Sequence, residues 1–181
     1  MQTIEIKITR SDVMNDEALR TSYIGSKMQA ADSDAYRRVF AADADQQLLA
    51  KFWDEACAEA SLLLDHWLTD QGAVATPQDY RVQLGMTDNW NTAYLPSVKE
   101  ALKSFLVNSI LTRWLMVAHR PDAEAYAALA TGAARQVTQL MLVRKRPVRR
   151  PPSSQGGDSD LCGDLWNGPQ LWGGPQLWKH N

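Results

Sequence analysis

The strongest constraint on the fold is a helical repeat of apolar residues between about 43 and 70. Leu48, Leu49, Phe52, Trp53, Ala56, Cys57, Ala60, Leu63, Leu64, Trp67 and Leu68 recur every three to four positions, which lines them along one side of an α-helix. Gly72 is the expected stop. Such a helix is stable only if other elements cover its apolar side.

Three further helical patterns can do so. Around 12–25, Val13, Met14, Leu19, Tyr23 and Ile24 fall roughly on one side, with Gly25 as a stop; "DSDAYRRVF" at 32–40 starts another helical segment, with Tyr36, Val39 and Phe40 inward, either continuous with or kinked into the strong helix. Val98, Leu102, Phe105, Leu106, Ile110, Trp114 and Val117 mark a helix over about 94–118. Tyr126, Leu129, Ala130, Ala133, Val137, Leu140 and Met141 mark another over about 122–143. "HRPDAEAY" between them is a tight joint: Pro121 suits a first helical turn, and Asp122 and Glu124 favour a helix N-terminus. A joint this short makes the two helices antiparallel neighbours.

Two segments alternate instead. Ile4, Ile6 and Ile8 in 3–9, and Tyr80, Val82, Leu84 and Met86 in 79–86, read as half-buried strands. Two strands do not stand alone in water, so they are expected to pair at one end of the bundle. The expected class is mainly α: a helical bundle (1–143) with a small two-stranded β element, a basic hinge (144–150) and an extended C-terminal arm (151–181).

Charge follows the same division. Residues 1–143 carry net −5, "RKRPVRR" at 144–150 carries +5, and 151–181 carry −2. "PPSSQGGDSD" after the hinge is linker composition. Mean hydropathy is −0.37, and the best apolar run, 105–118, is interrupted by Asn108, Ser109, Thr112 and Arg113, which excludes a bilayer span there. "MQTIEIKITR" has no signal-peptide pattern. Cys57 and Cys162 offer neither a disulfide framework nor a zinc site, and a cytoplasmic origin is expected.

The residues name no chemistry. Phosphate loops, nucleophile elbows and metal motifs are missing from the sequence. His66 reads as a helix-flank histidine. Asp54, Glu55 and Glu59 read as a solvated face, since no Glu-x-x-His accompanies them. No catalytic, metal or cofactor site is therefore expected. Arg144, Lys145, Arg146, Arg149 and Arg150 can cap the last helix, dock on an acidic protein surface or touch nucleic-acid phosphates. A DNA-binding or regulatory protein using this segment is the alternative reading.

The arm repeats Leu165-Trp166, Leu171-Trp172 and Leu177-Trp178 with a period of six. Gly168, Pro169, Gly173, Gly174 and Pro175 exclude a helix. In an extended chain the tryptophans stand about 18–21 Å apart, pointing the same way. Tryptophan is a strong interface anchor, so these six residues are expected to bind repeated or extended partner surfaces.

Over about 88–150 the chain resembles the head–tail connector (adaptor) proteins of tailed bacteriophages and prophages. The resemblance rests on a long helix with Arg113-Trp114 near its end, the Pro121-Asp122-Ala123 joint, a second helix and the basic ending at 144–150. It implies a non-enzymatic virion protein at the head–tail interface, made in the host cytoplasm. It also implies a homo-oligomeric ring, commonly of twelve copies, beneath the portal protein and beside a neck or head-completion protein. A C-terminal extension would reach the portal, and DNA would pass through the ring without specific recognition. The tryptophan repeat lies outside the resemblance.

Overall fold

The computed structural model describes residues 2–28, 36, 39 and 45–147. In chain order, strand β1 (Gln2–Thr9) leads directly into helix α1 (Arg10–Met28). Helix α2 (Gln46–Leu64) follows, then a 3-10 turn (Asp65–Trp67), strand β2 (Leu68–Ala75) and strand β3 (Asp79–Met86). A second 3-10 turn (Thr92–Tyr94) opens helix α3 (Leu95–Ala118), and helix α4 (Arg120–Leu142) completes the body. The fold is mainly α with a small open antiparallel sheet.

The predicted strands pair as expected. β1 runs antiparallel to β3 from Gln2 opposite Met86 to Thr9 opposite Asp79. Their alternating residues Ile4, Ile6, Ile8, Tyr80, Val82, Leu84 and Met86 are all buried, because one face of the pleat rests on the helices.

The sheet nevertheless has three strands, in the order β1-β3-β2. The helix expected to reach residue 70 ends at Leu64, and Leu68 begins β2. Trp67 and Leu68 keep helical spacing, but each is only half-buried against the core, Trp67 in the 3-10 turn and Leu68 in β2. Gly72 is not a helix stop. It sits inside β2 at φ +63, where the pairing shifts between Leu68 opposite Leu84 and Ala73 opposite Val82. The chain passes through a left-handed residue there, which glycine supplies without a Cβ clash.

α3 is the central element. Its buried residues, from Val98 to Leu115, surround most of the helix, as expected of one enclosed by neighbours. It packs against α1, α2, α4 and β1. Val117, expected inward, is exposed at its end, and Leu129 is likewise exposed on α4.

Three indole N–H groups tie the layers together. Trp53 of α2 donates to Thr76 O at 3.2 Å, Trp114 of α3 to Val39 O at 2.7 Å, and Trp90 to Leu140 O at 3.1 Å. The last of these places the approach to α3 beside the end of α4, so the two helices are antiparallel.

α1 differs most from expectation. Leu19 and Tyr23 face solvent, and Gly25 lies within the helix. The buried stripe is Val13, Glu17, Thr21 and Gly25, spaced by four. Small residues let α1 approach closely: a Cβ on Gly25 would stand 3.0 Å from Tyr36 Cα. Of the segment expected at 32–40, Tyr36 and Val39 are helical and Val39 is buried; Phe40 lies outside the described residues.

Candidate functional site

The compact unit Met1–Lys145 includes the first two residues of the basic run. α4 ends at Leu142, and the chain returns along the turn that precedes α3. Asn91 N–H donates to Val143 O at 3.3 Å and Lys145 N–H to Asn89 O at 2.7 Å. Arg144 forms an antiparallel bridge with Trp90. Both side chains are also engaged. An Arg144 guanidinium N–H donates to the Thr87 hydroxyl, and Lys145 Nζ donates to Asp88 O at 3.0 Å.

The "TDNWN" turn read from the sequence is therefore the surface that receives the start of the basic segment. Arg146 is exposed. Arg149, Arg150 and the arm residues Leu165, Trp166, Leu171, Trp172, Leu177 and Trp178 lie outside the described residues.

A second feature is an open cleft of about 500 Å3 between α2, α3 and α4, lined by Phe105, Met116, Ala127, Ala130 and Ala134 among others. Arg113, from the Arg-Trp pair near the end of α3, stands on its rim. Its Nε donates to Glu55 Oε2 at 2.9 Å and its Nη2 to Glu59 Oε1 at 2.5 Å. Glu55 and Glu59 are thus the acidic half of a clamp between α2 and α3. Met116 and Ala127 also line an adjoining cleft toward Pro121. Met116 and Val117 near the joint, Leu129 along α4 and Leu142 at the opposite end of the pair are exposed apolar residues.

The residues weighed for chemistry are dispersed. His66 lies exposed in the 3-10 turn rather than on a helix flank, edge-on to Trp67 at 5.4 Å. His119 Nδ1 is 3.1 Å from Asp122 Oδ2 in the α3–α4 joint. Cys57 is fully buried, and burial, reinforced by Asp54, pushes its thiol up to about 12, so it stays protonated and poorly nucleophilic. Among the described residues no group of three His, Cys, Asp or Glu side chains is placed to share a metal ion. Nor is any helix there long and apolar enough to cross a membrane.

Glu17 draws no attention in the sequence. It is 1% exposed, and its Oε1 has no hydrogen-bond partner. Burial, and then the charge of Asp45, pushes its carboxyl up to about 7. The one signal that points to it is the four-residue spacing of Val13, Glu17, Thr21 and Gly25.

The elements define a mainly α protein with a small three-stranded antiparallel sheet among the described residues. Comparison with protein-family models, curated proteins and solved structures finds no match for this chain.

Proposed function

We propose that the protein is a structural virion component, a head–tail connector that forms a ring and docks to a portal and neck. The observation carrying this reading is the α3–α4 hairpin together with its sequel. The stretch resembling connectors is one antiparallel helix pair, and the basic segment starts from a fixed point on its Trp90 end. Exposed Met116, Val117, Leu129 and Leu142 on the pair supply apolar surface for subunit contacts.

In this reading the body forms the ring wall. Its net −5 disfavours adhesion to DNA passing through the channel. The Leu-Trp arm anchors to partner subunits, where one repeated bait meets repeated pockets. The activity is assembly, without catalysis or cofactor.

The test is co-expression with a portal protein encoded in the same genome. The full chain is expected to give a ring-bearing complex by electron microscopy, and truncation before Pro151 is expected to lose it. A truncated chain that joins the portal with unchanged affinity would refute arm docking; a full chain that never joins it would refute the connector reading.

A further inference from the structure

β1 is an edge strand with an unusual symmetry. In the order β1-β3-β2 it has a neighbour on one side only among the described residues. Arg10 N–H donates to Gln78 O at 2.8 Å, which continues the β1–β3 register by one pair. In an antiparallel ladder, bonded and non-bonded positions alternate. The even-numbered residues Gln2, Ile4, Ile6 and Ile8 therefore direct their backbone groups toward β3. Thr3, Glu5, Lys7 and Thr9 direct theirs to the free edge. The isoleucines are buried under the sheet, while Thr3, Glu5 and Lys7 are exposed.

We propose that this edge takes a second copy of itself: β1 pairs with β1 of another chain, antiparallel about a two-fold axis at Ile6, to give a continuous six-stranded sheet. The sequence "TIEIKIT" is symmetric about Ile6 in residue class. Pairing Ile6 with Ile6 sets Thr3 opposite Thr9, Ile4 opposite Ile8 and Glu5 opposite Lys7, each twice. The residues whose backbone groups face outward then meet each other, as the ladder requires, and both isoleucine rows stay on the core side.

Charge selects this register. Sliding by two residues one way sets Glu5 against Glu5; sliding the other way sets Lys7 against Lys7, and directly opposed like charges destabilise a strand pair. Charged edge residues usually discourage edge-to-edge association; here they reject the neighbouring registers and accept one. Lys7 Nζ already lies 3.1 Å from Asp79 Oδ2, which also takes Arg81 Nη2 at 3.0 Å. Lys7 and Arg81 stand directly opposite one another in β1 and β3 and share the Asp79 carboxylate, and the second copy's Glu5 would give Lys7 a further acidic neighbour. Neighbours in a cyclic ring are not related by two-fold axes, so the pairing belongs to the free chain and stands apart from the connector reading.

The test is the mass of the free full-length chain by light scattering and native mass spectrometry. The unmodified chain is expected at two copies. Glu5→Lys and Lys7→Glu each turn two opposite-charge pairs into like-charge pairs, and each should weaken association by about tenfold or more. Mixed in equal amounts, these two variants should recover a 1:1 dimer, because the introduced lysine of one chain then faces the introduced glutamate of the other. A one-copy mass for the unmodified chain, unchanged association of both single variants, or failure of the mixture to pair would each overturn the proposal. Glu5→Pro covers the case in which a charge variant unfolds. It removes an edge-facing N–H and no β1–β3 bond, so it should keep native circular dichroism and lose the dimer. A folded Glu5→Pro chain that stays dimeric overturns the proposal as well. Portal binding is read separately, so a monomeric free chain would leave the connector reading intact.

Discussion

The indole N–H of Trp90 donates to the carbonyl oxygen of Leu140 at 3.1 Å, joining the approach to α3 to the last turn of α4. Trp90 is 1% exposed, so the bond is sheltered from water and the ring fills core volume. Trp90→Phe should cost about 0.5–1.5 kcal/mol, since the Leu140 carbonyl loses its indole donor but keeps the Val143 N–H at 3.3 Å. Trp90→Ala should cost about 3–5 kcal/mol, adding a cavity. Urea denaturation midpoints at constant m check both, and a Phe variant as stable as the parent would count against the bond.

Stability should fall as pH rises through the range set by Glu17. Its carboxyl is raised from 4.5 to about 7 by burial and by Asp45. Between these values the folded chain keeps a proton that the unfolded chain has released, so the free energy of unfolding decreases with each increase in pH. The loss is complete above the folded value and amounts to roughly 3 kcal/mol. Glu17→Gln should remove this contribution and be more stable than the parent at pH 8. Chemical denaturation at pH 5 and pH 8 reads the difference, and parallel pH profiles would refute it.

The same substitution should have opposite signs at two helical glycines. Gly132→Ala in α4 meets nothing within 4 Å, so the helix preference of alanine should stabilise by up to about 1 kcal/mol. Gly25→Ala would bring a Cβ to 3.0 Å from Tyr36 Cα. Backbone cannot rotate away, and a cost of about 1–2 kcal/mol is expected. Thermal melts of the two variants side by side decide it.

Arg113 should contribute modestly through its two glutamates. Its side chain is 20% exposed, but those of Glu55 and Glu59 are 55% and 48% exposed, so solvent weakens the pairing. Arg113→Lys keeps the charge and loses the fork, with an expected cost of about 0.5–1 kcal/mol. A double-mutant cycle with Glu59→Gln should show coupling of about the same size, declining as salt is raised.

Much of the architecture is legible because alternation and helical spacing separate cleanly. Ile4, Ile6 and Ile8 alternate with polar residues and are buried as read, and α3 and α4 differ little from their predicted limits. β2 is hidden because Trp67 and Leu68 extend the spacing of α2, while Gly72 reads equally well as a helix stop or a left-handed strand residue. The face of α1 is obscured because Leu19 and Tyr23 outweigh Glu17, Thr21 and Gly25 in hydrophobicity. Close approach of backbones, rather than apolar area, selects the buried side there. Arg144 and Lys145 are legible as charges. Their partners, Thr87 and Asp88, are 57 positions away, and nothing local encodes that meeting.

The bridge between Arg144 and Trp90 also has a mechanical meaning. Traction on the chain beyond Pro147 reaches the body first at Lys145 and Arg144, which are held to the turn at 87–90 by backbone and side-chain bonds. α4 cannot be peeled from its C-terminal end until that clasp opens. A load carried by the tail is thereby shared with the start of α3, at the centre of the bundle, before it can unwind a single helix.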